Sequence, residues 1–533
     1  MMLAFRILFV AAALSGIVLY KKLRSLERFE RTVASIVPAL VALFAIEVAE
    51  LILAAPYELL DDMRITRTFA IFSGVNLYPG NNATGAIIGT LHPPVSHILF
   101  WPAIFAKTPA LAMEIGSVIA FALFFAPVVW LHFQRELDER RGFLLPCLAL
   151  LAFAFMMLQG MGMRMCAFRI HTDAGAICFA TIGAGTLCRI NRSWGWRRLF
   201  LSSVFAVLSV GCKQTMAPLL LALSLFVLLV SGIRPALRYM ACLLASSIVI
   251  LSAIVAIFWP PKDLLFNLLT LASHRPGRGS YSMIHLQVYQ EAVLPLLALT
   301  LFGLHWYFYE RGKSSGWRTV LAGHRWLIFP LIGILLAPVC VKARFTYGGE
   351  PNHIGLFVYF FVLGATLGMN RFMTERAGNP YRTQAARILV LALILASLGA
   401  RSATAFRKGT VRDYRSSWTW EAYEYDLRHP GKAYFPMNPL AAVFAEHKFY
   451  HVESALQDRE VAGHGINQAQ LVSGIPTNLS LVASPRDVVA VDPDEPARRA
   501  LAEFLSGWQR IDDPELPGWV VYQRPSTASR IPQ

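Results

Sequence analysis

Long apolar runs recur through the first 400 or so residues of this chain, separated by short charged segments, and the pattern then stops. Several runs, such as Phe121–Leu131 with its flanks and Leu219–Val230, are apolar around the whole helix circumference and leave no face for water. A helix that crosses ~30 Å of hydrocarbon needs about 20 such residues. The pattern predicts about twelve spans, near 3–20, 33–54, 112–132, 142–160, 172–188, 198–212, 214–231, 238–258, 287–308, 325–341, 353–369 and 385–401. Open loops and sheet edges cannot face lipid, so the expected fold is mainly α, a polytopic membrane helical bundle. The alternation of a membrane β-barrel is absent. The first run lacks a basic leader and a small-residue cleavage site, so it reads as a helix and not as a signal peptide. The pair 198–212 and 214–231 is unusual, each run being short and Lys213 standing between them.

Every second loop is basic. The clusters are Lys21, Lys22, Arg24, Arg28 and Arg31; Arg135, Arg140 and Arg141; Arg189, Arg192, Arg197 and Arg198; Arg234 and Arg238; Arg311, Lys313 and Arg318; and Arg371, Arg376 and Arg382. This alternation marks a cytoplasmic face, with both termini outside. The opposite loops are 56–111, 161–171, 259–286 and 342–352, plus everything after about residue 402. Two of them carry cations against the bias: Lys262, His274, Arg275 and Arg278 in one, Lys342 and Arg344 in the other. An anionic ligand at the outer face would account for them, and so would contact with acidic residues or lipid phosphates.

Residues 403–533 are charged and aromatic, with Trp418, Trp420, Tyr423, Tyr425, Tyr434 and Tyr450. Strand-like pieces (Val488–Val491, Trp519–Gln523) alternate with helix-like ones (Pro439–His447, Pro496–Trp508). This predicts a small C-terminal α/β extracytoplasmic domain following a transmembrane domain of residues 1–402.

Composition agrees. The 533 residues are 56% hydrophobic and 15% charged, and the mean hydropathy is +0.49. The net charge of +16 follows mainly from the cytoplasmic loops, so no nucleic-acid partner is expected. The seven cysteines fall in the hydrophobic part with no Cys-x-x-Cys spacing, which argues against a disulfide framework or zinc site.

The candidate chemistry sits in the outer loops. Asp61-Asp62 follows an apolar run at the depth where a helix should leave the membrane, and acids there are costly to place. Adjacent carboxylates cannot share one helix face, so at most one points into a site. That one could act as a general base, while a helix cap is the plainer reading. Arg64 and Arg67 follow and could hold a phosphate or pair with the acids. His171-Thr172-Asp173 opens the 172–188 helix, where Thr172 or Asp173 could be an N-cap. Lys213-Gln214-Thr215 lies between apolar segments, and a buried lysine there must be paired or near water. Phe345 to His353 is an outer loop dense in polar groups: Gly348-Gly349 permits close approach, and Glu350, Asn352 and His353 could bind sugar hydroxyls or phosphate. Gly312-Lys313-Ser314-Ser315-Gly316 matches a nucleophile elbow by letter only, and Asp492-Pro493-Asp494 reads as a turn. No phosphate-binding loop, dinucleotide fingerprint or metalloprotease helix occurs.

Together these residues resemble the GT-C superfamily of membrane glycosyltransferases, closest to bacterial mannosyl- and arabinosyltransferase-like members that use polyprenyl-phosphate sugars. Asp62 (or Asp61) ending an early helix, then Gly74, Tyr78 and His92-Pro93-Pro94, follow the family's order. Asp173 fits its second acid, Lys213-Gln214-Thr215 a recurring Lys-Gln-Thr-like element, and Gly348, Gly349, Glu350 and Asn352 a later Gly-Gly-acid-x-Asn element. The likeness spans about residues 33–370. The chain departs from it in Asp-Asp for Asp-Glu, in His92 for an aromatic and in the extra helix 3–20.

The resemblance implies an inverting transfer at the outer face of a bacterial plasma membrane. Asp62 would take the proton of a glycan, lipid or protein acceptor as it attacks the anomeric carbon of a sugar on a polyprenyl monophosphate. Arg64, Lys213, Lys342 and Arg344 would stabilise the leaving phosphate, and Arg67, Tyr78, His92, His171, Gln214, Glu350, Asn352 and His353 are further candidate substrate contacts. Some relatives need a divalent metal and others do not. The competing expectations are a lipid-linked glycan ligase or flippase, a solute transporter, and an inactive GT-C-like scaffold; no half-to-half similarity of the transporter kind is visible.

Overall fold

The computed structural model describes residues 2–24, 28–53, 59–134, 144–188, 195–277, 281–311, 317–375, 417–485 and 499–525. The expected span at 385–401, the boundary near 402, Arg135, Arg140, Arg141, Arg189, Arg192, Arg278, Lys313, Arg376, Arg382 and the strand-like Val488–Val491 lie outside them.

A helix forms in every other expected run. After α1 (Met2–Lys22) and α2 (Arg28–Leu53) comes the short α3 (Leu59–Phe72), which carries the acidic pair in its first turn. By length and apolarity six helices among the described residues suffice to cross a membrane, or seven counting one bent pair. The helices in the other expected runs differ in length: Thr172–Leu187 and Trp196–Cys212 have 16 and 17 residues, Met2–Lys22 has 21 and Tyr281–Arg311 has 31. The bent pair breaks at Gly160, where Pro146–Gln159 and Met161–Phe168 meet at 104°. The chain also breaks at Lys213, whose extended backbone ends one helix before a single 3-10 turn starts the next.

The helix Asn352–Glu375 runs through the centre, with its Asn352–Asn370 stretch 94% buried. Tyr359 packs edge-on against Phe124 and Phe153, and its hydroxyl accepts a hydrogen bond from Thr181 at 3.0 Å. Gly355 crosses the Met161–Phe168 helix at Gly162. A Cβ on Gly355 would stand 2.3 Å from the Gly162 carbonyl carbon, and one on Gly162 would stand 2.5 Å from the Pro351 oxygen. Only two glycines allow the backbones this close, and the crossing sets the 161–171 and 342–352 loops side by side. Gly355→Ala is expected to cost about 1–3 kcal/mol by overpacking, read as a lower thermal midpoint in detergent; an unchanged midpoint would show that the crossing yields.

The C-terminal residues form a four-stranded sheet in the order β1-β2-β4-β3, from β1 (Ala433–Tyr434), β2 (Leu481–Ser484), β3 (Gln509–Ile511) and β4 (Val520–Gln523). β1 and β2 are parallel; β2–β4 and β3–β4 are antiparallel. The helices Leu440–Glu446 and Arg499–Phe504 lie inside the helix-like pieces read from sequence. These residues share one core with the first long loop: Met63, Leu77, Tyr78 and Ile88 cluster with Tyr434, Val452, Leu471 and Val482, while Ile65 and Phe69 cluster with Leu440 and Val443. Burial of that joint apolar surface fixes α3 against the sheet-bearing residues.

Candidate functional site

The first turn of α3 splits its two acids. Successive helical residues point about 100° apart, so Asp61 and Asp62 face different neighbours. Asp61 turns toward the bundle: Arg169 Nη1 donates to its Oδ2 at 3.2 Å, the Ile170 N–H donates to Oδ1 at 3.1 Å, and Arg64, one turn on, stands 3.8 Å away. Asp62 turns toward the C-terminal residues. Thr419 Oγ1 and Asn438 Nδ2 donate to its Oδ2 at 2.7 and 3.4 Å, and the Leu440 N–H donates to Oδ1 at 2.9 Å. Burial pushes the Asp62 carboxyl up to about 7, against the pull of those donors. It is fully buried and spoken for, so it ties α3 to the helices that follow Ser417 and Pro439. Of the two candidate bases, Asp62 faces the C-terminal residues and Asp61 faces the cluster.

A second cluster forms around Asp173, fully buried in the first turn of the Thr172–Leu187 helix. Lys213 Nζ lies 2.5 Å from Oδ1, while His171 Nδ1 and Asn352 Nδ2 both contact Oδ2. The break at Lys213 thus ends in a buried ion pair, the arrangement a lysine inside an apolar bundle needs. Glu350 joins the clusters by accepting from Arg64 Nη2 at 2.8 Å. Burial would raise the Glu350 carboxyl, but the Arg64 charge outweighs it and holds it low. His92 packs edge-on against His171 with centroids 5.5 Å apart. Burial lowers both imidazoles; at His171 the Asp173 carboxylate opposes it while Arg64 and Lys213 add to it. Asn352 Oδ1 and His353 Nδ1 are buried without a hydrogen-bond partner among the described residues, leaving polar capacity open in the cluster. The pocket bordered by Arg64, His92, His97, Ile170 and His171 measures about 10 Å³, the room of roughly one water.

Other expected contacts are placed elsewhere. Tyr78 is buried, donates from its hydroxyl to the His92 carbonyl at 2.7 Å and stacks edge-on against Phe258. It holds the His92-Pro93-Pro94 turn and does not face the cluster. Arg67 lines the small pocket but spends its donors on the Ile88 carbonyl and the Ser454 hydroxyl, at 3.4 and 2.9 Å. Gln214 Nε2 reaches the Leu268 carbonyl at 3.4 Å. Arg344 bonds the Gly349 carbonyl and donates to Gln287 Oε1 at 3.3 Å, so it braces the Gly348–Asn352 loop. There Gly348 has φ +70°, and a Cβ on Gly349 would meet the Ala343 oxygen at 2.4 Å. Lys342, Lys262 and His274 are exposed. Arg275, a candidate for an anionic ligand, instead pairs with Asp458.

Three side chains escaped the sequence reading: Arg169, Gln287 and Glu291. Arg169 was a lone cation beside His171 in an outer loop. Glu291 accepts from the Gly162 N–H at 2.9 Å and from Gln287 Nε2 at 3.0 Å, and Gln287 also donates to the Pro351 carbonyl at 3.0 Å. An acid inside the 287–308 run was the available signal.

A divalent metal does not fit this donor set. Among the described residues no three His, Cys, Asp or Glu side chains converge on one cation position. Asp61, Asp173 and Glu350 are each already matched by Arg or Lys. The arrangement is a charge-balanced cluster drawn from α3, the two bent or broken helix junctions and the Gly348–Asn352 loop. Its cations are matched by carboxylates, and the space beside them has room for about one water.

No family model and no curated protein matches the chain. Among solved structures, it is similar to archaeal oligosaccharyltransferase AglB from Archaeoglobus fulgidus in complex with an inhibitory peptide and a dolichol-phosphate, at 12% identity and a TM-score of 0.45, over 84% of this chain and 69% of that one. The apo oligosaccharyltransferase of Archaeoglobus fulgidus aligns over 84% and 69% at 13% identity and a TM-score of 0.47. Its complex with Zn and sulfate aligns over 84% and 68% at 14% identity and a TM-score of 0.41. At these scores none of the three fixes the activity of this chain.

Proposed function

We propose that this chain is a GT-C-like membrane glycosyltransferase that moves a sugar from a polyprenyl monophosphate to an acceptor on the outer face of the membrane. The observation that supports it is the meeting of Asp61, Arg64, Arg169, Asp173, Lys213 and Glu350, from separate segments of a helical bundle, in one buried cluster. An isolated acid inside apolar surroundings would be costly; acids and cations gathered at the mouth of a bundle suit an anionic lipid headgroup.

In this reading Asp61 replaces Asp62 as the base. The acceptor oxygen attacks the anomeric carbon, the bond from that carbon to the phosphate oxygen breaks, and the acceptor proton passes to Asp61. The carrier leaves as polyprenyl phosphate, its charge met by Arg64 and Arg169, with Lys213 held ready by Asp173. His171 and the open atoms of Asn352 and His353 are available for sugar hydroxyls. No metal enters this scheme. The C-terminal residues, packed on α3, form an α/β unit on the same outer side.

Membranes containing the chain, supplied with polyprenyl-phosphate sugars labelled in the sugar, should move label into a water-soluble or lipid acceptor, and Arg64→Gln should lower that rate about 10²-fold. Label that crosses the bilayer without covalent transfer would favour a transporter and end the proposal.

Asp62 gives the scheme a pH signature. Its folded pKa of about 7 exceeds the ordinary carboxylate value, so the folded state binds the extra proton between about pH 4 and pH 7. Stability from this group is complete below pH 4 and falls as pH rises to 7, by on the order of 4 kcal/mol. Asp62→Asn, which keeps an acceptor for the Leu440 N–H, should flatten that slope in thermal unfolding between pH 5 and pH 8. A slope identical to wild type would remove Asp62 from the titration.

A further inference from the structure

The C-terminal residues hold a cleft that the transfer scheme does not use. It measures about 440 Å³ and lies between the Pro430–Gly431 turn, the end of the Leu440–Glu446 helix and the Ile475–Asn478 loop. Its walls divide by chemistry. Pro430 supplies exposed apolar surface beside the buried Ile475 and Pro476, while Lys448, Thr477 and Asn478 present exposed polar groups beside the bonded pair Glu446 and Tyr450. Glu446 is a built feature and not a surface acid. Its side chain is 3% exposed, its Oε1 accepts from the Gly431 N–H at 2.8 Å, and its Oε2 accepts from the Tyr450 hydroxyl at 2.8 Å. Beside it Asp426 is 1% exposed, and among the described residues neither of its oxygens has a hydrogen-bond partner. Burial and the Glu446 charge push Asp426 up to about 8, so it carries its proton at neutral pH. Native interiors rarely leave a buried carboxyl unmatched.

We infer that this cleft is a binding subsite for a neutral, hydroxyl-rich glycan. Carbohydrate recognition needs fixed acceptors and donors at one wall and apolar surface for the C–H face of a pyranose at the other, and this cleft offers both. Lys448 at the rim, 62% exposed and 3.9 Å from Glu446, balances the buried charge, which disfavours a strongly cationic ligand. The cleft is also tied to the transfer site by one rigid element. Leu440 at the start of the helix caps Asp62 through its N–H, and Glu446 at its end forms the cleft floor. Six residues of helix separate them, about 9 Å along the axis. A glycan seated there would lie on the C-terminal side of α3, so the subsite would position an acceptor chain; that role rests on the transferase reading, whereas binding itself does not.

The test uses the full-length protein in lipid nanodiscs and saturation-transfer NMR with neutral tetrasaccharides of mannose, galactose, glucose and arabinose. At least one should bind saturably, and Thr477→Ala with Asn478→Ala, both exposed loop positions, should weaken it at least tenfold without moving the thermal midpoint. Asp61→Asn should bind it as wild type does; binding by a wild-type protein that moves no sugar from any polyprenyl-phosphate donor would leave the cleft standing and refute the transfer scheme. Absence of binding by all four sugars, or binding that the double variant leaves unchanged, would overturn the subsite.

Discussion

Asp61→Asn is expected to lower sugar transfer by about 10²–10⁴-fold while the protein still inserts. Asparagine can accept from the Ile170 N–H through its one oxygen but turns its amide NH2 toward the Arg169 guanidinium, so the thermal midpoint falls somewhat while the site for the acceptor's proton is lost. Asp62→Asn should keep at least a tenth of wild-type transfer, because Asp62 faces Thr419, Asn438 and Leu440 and not the cluster that holds Arg64 and Arg169. The pair of variants assayed side by side on the same membranes separates the two acids. Loss in Asp62→Asn with retention in Asp61→Asn would reverse the assignment.

Lys213→Ala is expected to be the most destabilising single change. It removes the cation from a fully buried carboxylate and leaves Asp173 with only His171 and Asn352. Breaking a buried pair from one side costs about 3–5 kcal/mol, a large part of the ~5–15 kcal/mol that holds a typical fold. The variant should be recovered in low yield with a sharply reduced thermal midpoint. Lys213→Met combined with Asp173→Asn removes both charges and should recover much of the midpoint but not the activity. If Lys213→Ala alone were as stable as wild type, the pair would contribute no structural energy, and water would have to solvate Asp173.

Much of the bundle was legible because its signal is local. A run apolar on every side has one stable outcome in lipid, and the helices follow those runs from α1 to the helix Asn352–Glu375. The polar segments between the runs stood out in the same way, and they directed attention to Asp61, Asp173, Lys213 and Glu350. Length was less legible: Thr172–Leu187 and Trp196–Cys212 have 16 and 17 residues, fewer than the ~20 that a straight crossing takes.

What sequence could not reveal is which way a side chain turns. Asp61 and Asp62 are chemically identical, and the groups that claim Asp62 lie far along the chain, Thr419 at 357 positions and Leu440 at 378. Tyr78, expected from the resemblance, packs against Phe258, and Arg67, on the short helix, lines the small pocket while bonding Ser454; neither contact is with a residue near in sequence. Arg275 had two open readings, an anionic ligand or an acid, and Asp458 takes it. Arg169 carried no local mark beyond its charge, and its meaning comes from the Gly162–Gly355 crossing that brings its loop to α3.

The most direct measurement is a paired lipid and glycan mass analysis of cells whose only copy of the chain is wild type or Asp61→Asn. A transferase acting from a monophosphate carrier predicts that Asp61→Asn cells accumulate the sugar-loaded polyprenyl monophosphate and lose one surface glycan. An unchanged carrier pool together with an unchanged glycan profile would contradict it.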